Sequence, residues 1–200
     1  MNRGRLANAL TLSRLALSPV FALSFVLAAR GASGAWLVVV WSLIVIMELT
    51  DVLDGMVARS GNAVSDLGKV LDPFADVVSK VTYFVCLLTV GIVPLWFVLL
   101  LLYREFGIIL IRMLLFRDGI ALGAKTLGKI KTWFYAVSAA AGLLVFTAGI
   151  LGAQMQPLSD FLARPAVSVG YTLLLVLTGL FAVVSFVQYF VVFVRSRSGS

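Results

Sequence analysis

Long apolar runs recur from one end of this chain to the other, and they leave few folds open to it. Six segments, at about residues 9–29, 35–57, 70–91, 93–116, 130–152 and 166–194, are long and apolar enough to be read as bilayer-crossing helices, which need about 20 such residues. Of the 200 residues, 62% are hydrophobic and 12% charged, whereas a soluble domain carries roughly a quarter charged residues. In hydrocarbon each backbone N–H and C=O must find its partner inside its own segment, so helices are expected throughout. The expected fold is an all-α integral membrane protein, a six-transmembrane-helix bundle. One domain is expected over residues 1–194, with 195–200 as a C-terminal tail. The links "RGASG" and "VGIVP" are too short to hold a further domain.

The ionisable residues orient the bundle. Arg3 and Arg5 precede the first span, and Arg59 and Lys69 flank the link after the second. Arg117, Lys125, Lys129 and Lys131 crowd the link after the fourth span, and Arg195 and Arg197 follow the sixth, while the opposite links carry only Arg30 and Arg164. Basic residues mark the cytoplasmic side, so both termini are expected there. The net charge of +7 is spread between spans rather than along a soluble basic face, which points away from nucleic acid and toward lipid headgroups or phosphorylated substrates. The stretch "LAARGASGA" has the outline of a signal-peptide cleavage site. The polar groups of "NALTLSRLALSP" interrupt the apolar run before it, so the segment reads as a first span. A single cysteine, Cys86, rules out an internal disulfide or a cysteine zinc site, and histidine is absent. Any metal ligation or proton transfer then falls chiefly to carboxylates.

Six of the nine acids lie between Glu48 and Asp76. Asp51 and Asp54 are three apart and share a helix face, as do Gly68, Asp72 and Asp76 at intervals of four. Between the two groups runs "SGNAVSD", a polar turn signal, so the segment reads as a helical hairpin. Four carboxylates are expected to converge near the mouth of the bundle, on the cytoplasmic side. Among the basic residues Arg59 alone is close in sequence, and it sits at the turn. Protein cations are therefore not expected to offset the repulsion. Either some of the aspartates are protonated or divalent cations compensate them, and an oxygen-only donor set favours Mg²⁺, Mn²⁺ or Ca²⁺. Gly55, Ala58 and Gly68 keep the backbone open beside the acids. They serve either tight helix packing or the close approach of a ligand such as a diphosphate bridged by paired metals.

The full pattern reads Asp51-x₂-Asp54-Gly55-x₂-Ala58-Arg59-x₈-Gly68-x₃-Asp72-x₃-Asp76. It resembles the signature of the CDP-alcohol phosphotransferases, membrane enzymes of phospholipid synthesis, and the six spans extend the similarity over nearly the whole chain. The resemblance implies transfer of a substituted phosphate from a CDP-linked donor to an alcohol, with release of CMP. It implies two divalent ions, Mg²⁺ or Mn²⁺, held by Asp51, Asp54, Asp72 and Asp76. Gly55, Ala58, Arg59 and Gly68 would line the site of the CDP moiety, and Asp76 would act as the base. It further implies a homodimer in a bacterial inner or plasma membrane, with the active site on the cytoplasmic side.

Downstream, "YREFGIILIRMLLFRDGIALGAKTLGKIKTW" resembles the phosphatidylglycerophosphate synthase branch, as do Asn8, Leu10, Thr11 and Arg14 near the start. That branch takes CDP-diacylglycerol as donor and glycerol 3-phosphate as acceptor. A dianionic acceptor would account for Arg104, Arg112, Lys129 and Lys131 as its phosphate ligands, although Arg104 beside Glu105 also reads as a structural pair. The chain departs from the branch in two places. Val77 stands where a Lys commonly follows the last Asp, with Lys80 displaced beyond it, and Trp133, Phe134 and Tyr135 follow "GKIKT". The aromatic trio keeps open a cholinephosphotransferase using CDP-choline, through cation–π contact. Phosphatidylserine and phosphatidylinositol-phosphate synthases share the signature too. A cation transporter would spread its acids over several spans, whereas these gather at one rim.

Overall fold

The computed structural model describes residues 3–31, 33–59, 66–117, 126–152 and 156–198. Within those segments the side chains of 3–7, 54–59, 66–70, 116, 126–131, 159 and 197–198 lie outside the description. Among the described residues seven helices follow one another: α1 Arg3–Ala29, α2 Ala35–Arg59, α3 Asp66–Thr89, α4 Leu95–Arg117, α5 Thr126–Leu151, α6 Gln156–Leu162 and α7 Pro165–Ser198. Six of them coincide with the six apolar segments, and no strand occurs among the described residues.

The short α6 falls in a stretch that sequence reading left as a link. Pro157 occupies its first turn, where a missing N–H has no bond to lose, and Pro165 opens the next helix. Helix α7 continues past the expected boundary at 194 to Ser198 because nothing in "VRSRS" breaks a helix.

Among the described residues four segments, Asn8–Ala29, Ala35–Leu53, Thr132–Leu151 and Pro165–Ser196, are long and apolar enough to cross a membrane. The chain is a multi-pass membrane protein. Helices α3 and α4 are as long as their neighbours but carry too many charges to qualify on composition. The first holds Asp66, Lys69, Asp72, Asp76 and Lys80, and the second Arg104, Glu105, Arg112 and Arg117.

The helices form two compact units, Met1–Val90 and Gly91–Ser200. In the first, α1 packs along both α2 and α3. Phe21 and Phe25 are fully buried, and Phe21 meets the ring of Tyr83 edge-on with centroids 4.9 Å apart, which ties α1 to α3. Between α1 and α2 the chain reverses at Gly31, whose φ of 72° a side chain would strain. In the second unit α4 and α5 pack on α7, and α6 touches α5 and α7. Ile108, Ile111, Leu115 and Tyr189 form a core cluster there. Gly107 allows a close approach of α4 to α7, since a Cβ at that position would stand 2.7 Å from the Phe186 ring. The Ser138 and Thr178 hydroxyls meet at 2.9 Å between α5 and α7.

Outward faces are apolar: Leu23, Val38, Leu49, Leu173 and Leu180 are among the exposed side chains. In water such surfaces would be a liability, whereas lipid tails accept them.

Candidate active site

The first unit builds its polar centre around α1. Arg14 is 1% exposed, a buried guanidinium facing the acid-bearing ends of the two neighbouring helices. Its Nη1 donates to Asp51 Oδ1 on α2, and its Nη2 donates to Asp72 Oδ1 on α3 at 2.7 Å. One side chain therefore gathers carboxylates from both arms of the expected hairpin. Asp76, one turn beyond Asp72, is ion-paired with Lys80 one turn further on. Lys80 is also buried, at 3% exposure, whereas Asp72 is half open. The cations lie inside and the carboxylates face outward.

Local hydrogen bonds fix this arrangement. Ser18 Oγ donates to the Arg14 carbonyl at 2.9 Å and lies 3.4 Å from Ser79 Oγ of α3. Ser79 in turn donates to the Ala75 carbonyl at 2.9 Å. These short polar side chains let α1 and α3 approach one turn away from the acids. Glu48, one turn before Asp51, is within electrostatic reach of Lys80, Asp51 and Arg14. The buried Tyr83 hydroxyl has no hydrogen-bond partner among the described residues.

The structure corrects one expectation here. Protein cations do offset these acids: Arg14 pairs with Asp51 and Asp72, and Lys80 with Asp76. Arg14 is 37 residues from Asp51 and 58 from Asp72, a distance in sequence that hid a contact in space. Two signals pointed to the cations all the same. Arg14 is the one charge inside the first apolar span, where an ionisable group needs a partner, and Asp76 and Lys80 have the i, i+4 spacing of a helical ion pair.

The backbones of Asp54, Gly55, Ala58, Arg59 and Gly68 belong to α2 and α3, but their side chains lie outside the described residues. So do those of Lys129 and Lys131 on α5. Among the described residues no three acids close into one chelate. Asp51, Asp72 and Asp76 nevertheless present only carboxylate oxygens, the donors of hard divalent ions, and a cation already bridges two of them. The donor set fits such an ion.

In the second unit Arg104 is 6% exposed and Glu105 5%. Arg104 Nη1 donates to Glu105 Oε1 at 2.7 Å, and its Nη2 donates to Ser185 Oγ of α7 at 2.7 Å. Arg112 Nη2 donates to the Tyr189 hydroxyl at 3.0 Å, with the guanidinium 5.3 Å from the centre of that ring. The Nε groups of both arginines are buried without a hydrogen-bond partner among the described residues. The aromatic trio has three different surroundings. Trp133 is 75% exposed, Phe134 stacks on Phe181 at 4.6 Å, and Tyr135 is buried. Consecutive helical residues point about 100° apart, so these three do not enclose a quaternary ammonium.

Comparison with known proteins follows the same lines. The family model for CDP-alcohol phosphatidyltransferase matches residues 5–155. A CDP-diacylglycerol–glycerol-3-phosphate 3-phosphatidyltransferase of Treponema pallidum is 44% identical over 93 residues, 46% of this chain and 43% of that protein. The chain thus matches under half the length of that relative. The Bacillus subtilis protein of the same name is 34% identical over 153 residues, 70% of this chain and 76% of its own length. A putative cardiolipin synthase of Mycobacterium bovis is 36% identical over 152 residues, 76% of this chain and 66% of its own length. With the family model covering three quarters of the sequence and relatives of these names beside it, the chain belongs to the CDP-alcohol phosphatidyltransferase family.

Proposed function

We propose that this protein transfers the phosphatidyl group of CDP-diacylglycerol to glycerol 3-phosphate, giving phosphatidylglycerophosphate and CMP. The observation that carries the reading is the meeting of Asp51 and Asp72, from separate helices, on one buried guanidinium. The names of the Treponema and Bacillus relatives support the substrates.

In this reading Asp51, Asp54, Asp72 and Asp76 hold two divalent ions, Mg²⁺ or Mn²⁺. When bound, the ions neutralise charge that grows on the oxygen bridging the two phosphorus atoms. Gly55, Ala58 and Gly68 leave room for the cytidine, with Arg59 at the nucleotide end. Asp76 accepts the proton of the acceptor hydroxyl. That oxygen bonds to the phosphorus bearing diacylglycerol, the P–O bond to CMP breaks, and CMP leaves with the electron pair. Arg112, Lys129 and Lys131 bind the acceptor phosphate, with Arg104 contributing its Nε–H. Helices α3 and α4 complete six spans, their charges belonging to the site. Both termini and the site face the cytoplasm, and the protein works as a homodimer.

The test is an acceptor panel. Purified protein with CDP-diacylglycerol and Mn²⁺ is expected to release CMP with glycerol 3-phosphate, but not with serine or inositol phosphate. CDP-choline with diacylglycerol is expected to give no product, and a chelator to stop the reaction. CMP release that ignores glycerol 3-phosphate sinks the assignment. A second reading rests on the mycobacterial relative named as a putative cardiolipin synthase: phosphatidylglycerol as acceptor. It belongs in the same panel, and turnover with that lipid alone selects it.

Arg112 separates acceptor from donor. A charge-assisted hydrogen bond contributes about 1.5–3 kcal/mol, so Arg112→Ala is expected to raise KM for glycerol 3-phosphate by about tenfold or more. KM for CDP-diacylglycerol is expected to stay within about twofold, since the arginine serves the other substrate. Equal rises in both would remove Arg112 from the acceptor site.

A further inference from the structure

Arg14 is spent on carboxylates that the reading above assigns to metal. We infer that Arg14 is a positioning residue, which holds Asp51 and Asp72 at the separation a divalent ion needs before the ion arrives. The inference rests on the metal-dependent reading.

Three observations support it. First, Arg14 belongs to α1, which packs along both α2 and α3, so one rigid group can set the spacing of acids on two helices. Second, the ion pairs described above with Asp51 and Asp72 each engage Oδ1. A carboxylate bound at one oxygen keeps the lone pairs of the other, so guanidinium and metal can share each aspartate. Third, the Arg14 side chain is enclosed. It has only 1% of its surface exposed, and one turn along the same helix Ser18 lies against Ser79 of α3. A guanidinium so enclosed cannot swing out to solvent when an ion binds. It remains as the shared outer partner of two ligands, fixing their rotamers and damping their mutual repulsion. Loss of such a partner costs about 10–100-fold in metal affinity. A resident cation that merely competed with the metal would have the opposite effect.

The experiment measures Mn²⁺ binding to the detergent-solubilised full chain without nucleotide, from the electron paramagnetic resonance signal of free Mn²⁺. Arg14→Gln keeps most of the side-chain volume and removes the charge. Its Kd for Mn²⁺ is expected to rise by about 10–100-fold. Arg14→Lys restores charge without the planar fork and is expected to lie between the two. Thermal unfolding in chelator confirms that each variant is folded. An Arg14→Gln protein that binds Mn²⁺ as tightly as wild type, or more tightly, overturns the inference. If that variant does not fold, Arg14→Lys decides: wild-type affinity in a folded Arg14→Lys protein overturns it equally. A wild-type chain that binds no Mn²⁺ sinks the metal reading and this inference together, whereas wild-type binding with unchanged variants sinks the inference alone.

Discussion

Asp76→Asn is expected to lower the rate of CMP release by about 10³-fold, within the 10²–10⁴-fold range of a positioned base. The substitution keeps the size and one ligand oxygen of the side chain and removes its capacity to take a proton. Lys80, now against Asp76, would face a neutral amide. Binding of the donor, followed with a fluorescent CDP-diacylglycerol analogue, is expected to change by only a few-fold, since Asp51, Asp54 and Asp72 remain. With histidine absent from the chain, no imidazole stands ready to substitute. An Asp76→Asn enzyme turning over within about tenfold of wild type would strip Asp76 of the role.

Glu105→Ala is expected to produce the largest loss of stability. Arg104 and Glu105 are both buried, and they form an ion pair at 2.7 Å. Removing one member of a buried pair leaves the other charge uncompensated, which costs about 3–5 kcal/mol. Replacing both by apolar residues of similar volume is often neutral. Thermal unfolding in detergent should therefore show a marked drop in Tm for Glu105→Ala and a recovered Tm for Arg104→Met/Glu105→Leu. A double variant as unstable as the single would show that the pair does more than cancel charge. The double variant also probes Arg104 at the acceptor phosphate, through KM for glycerol 3-phosphate.

Much of the helical plan was legible because its signal is long. A run of twenty apolar residues survives any local ambiguity, and each such run became a helix. The seven-residue α6 has no such period to announce it, only a proline at its start. The charges of α3 and α4 blurred the count of spans for a related reason: composition averages over a helix, whereas the residues that matter there are few and specific. In the candidate site, fixed spacing singled out the aspartates, because intervals of three and four put residues on one face. It could not disclose Arg14, whose partners lie on other helices. A contact between distant segments has no period of its own. The hint was energetic, a lone charge in an apolar span, and it required asking which group would neutralise it.

The same buried arginine has a consequence for how the polypeptide is made. Ribosomes deliver α1 first, and Asp72 follows 58 residues later. Until both acid-bearing segments have emerged, the nascent first helix carries a bare guanidinium that hydrocarbon penalises by a few kcal/mol. The leading segment should therefore linger beside the insertion machinery and enter lipid together with its two successors.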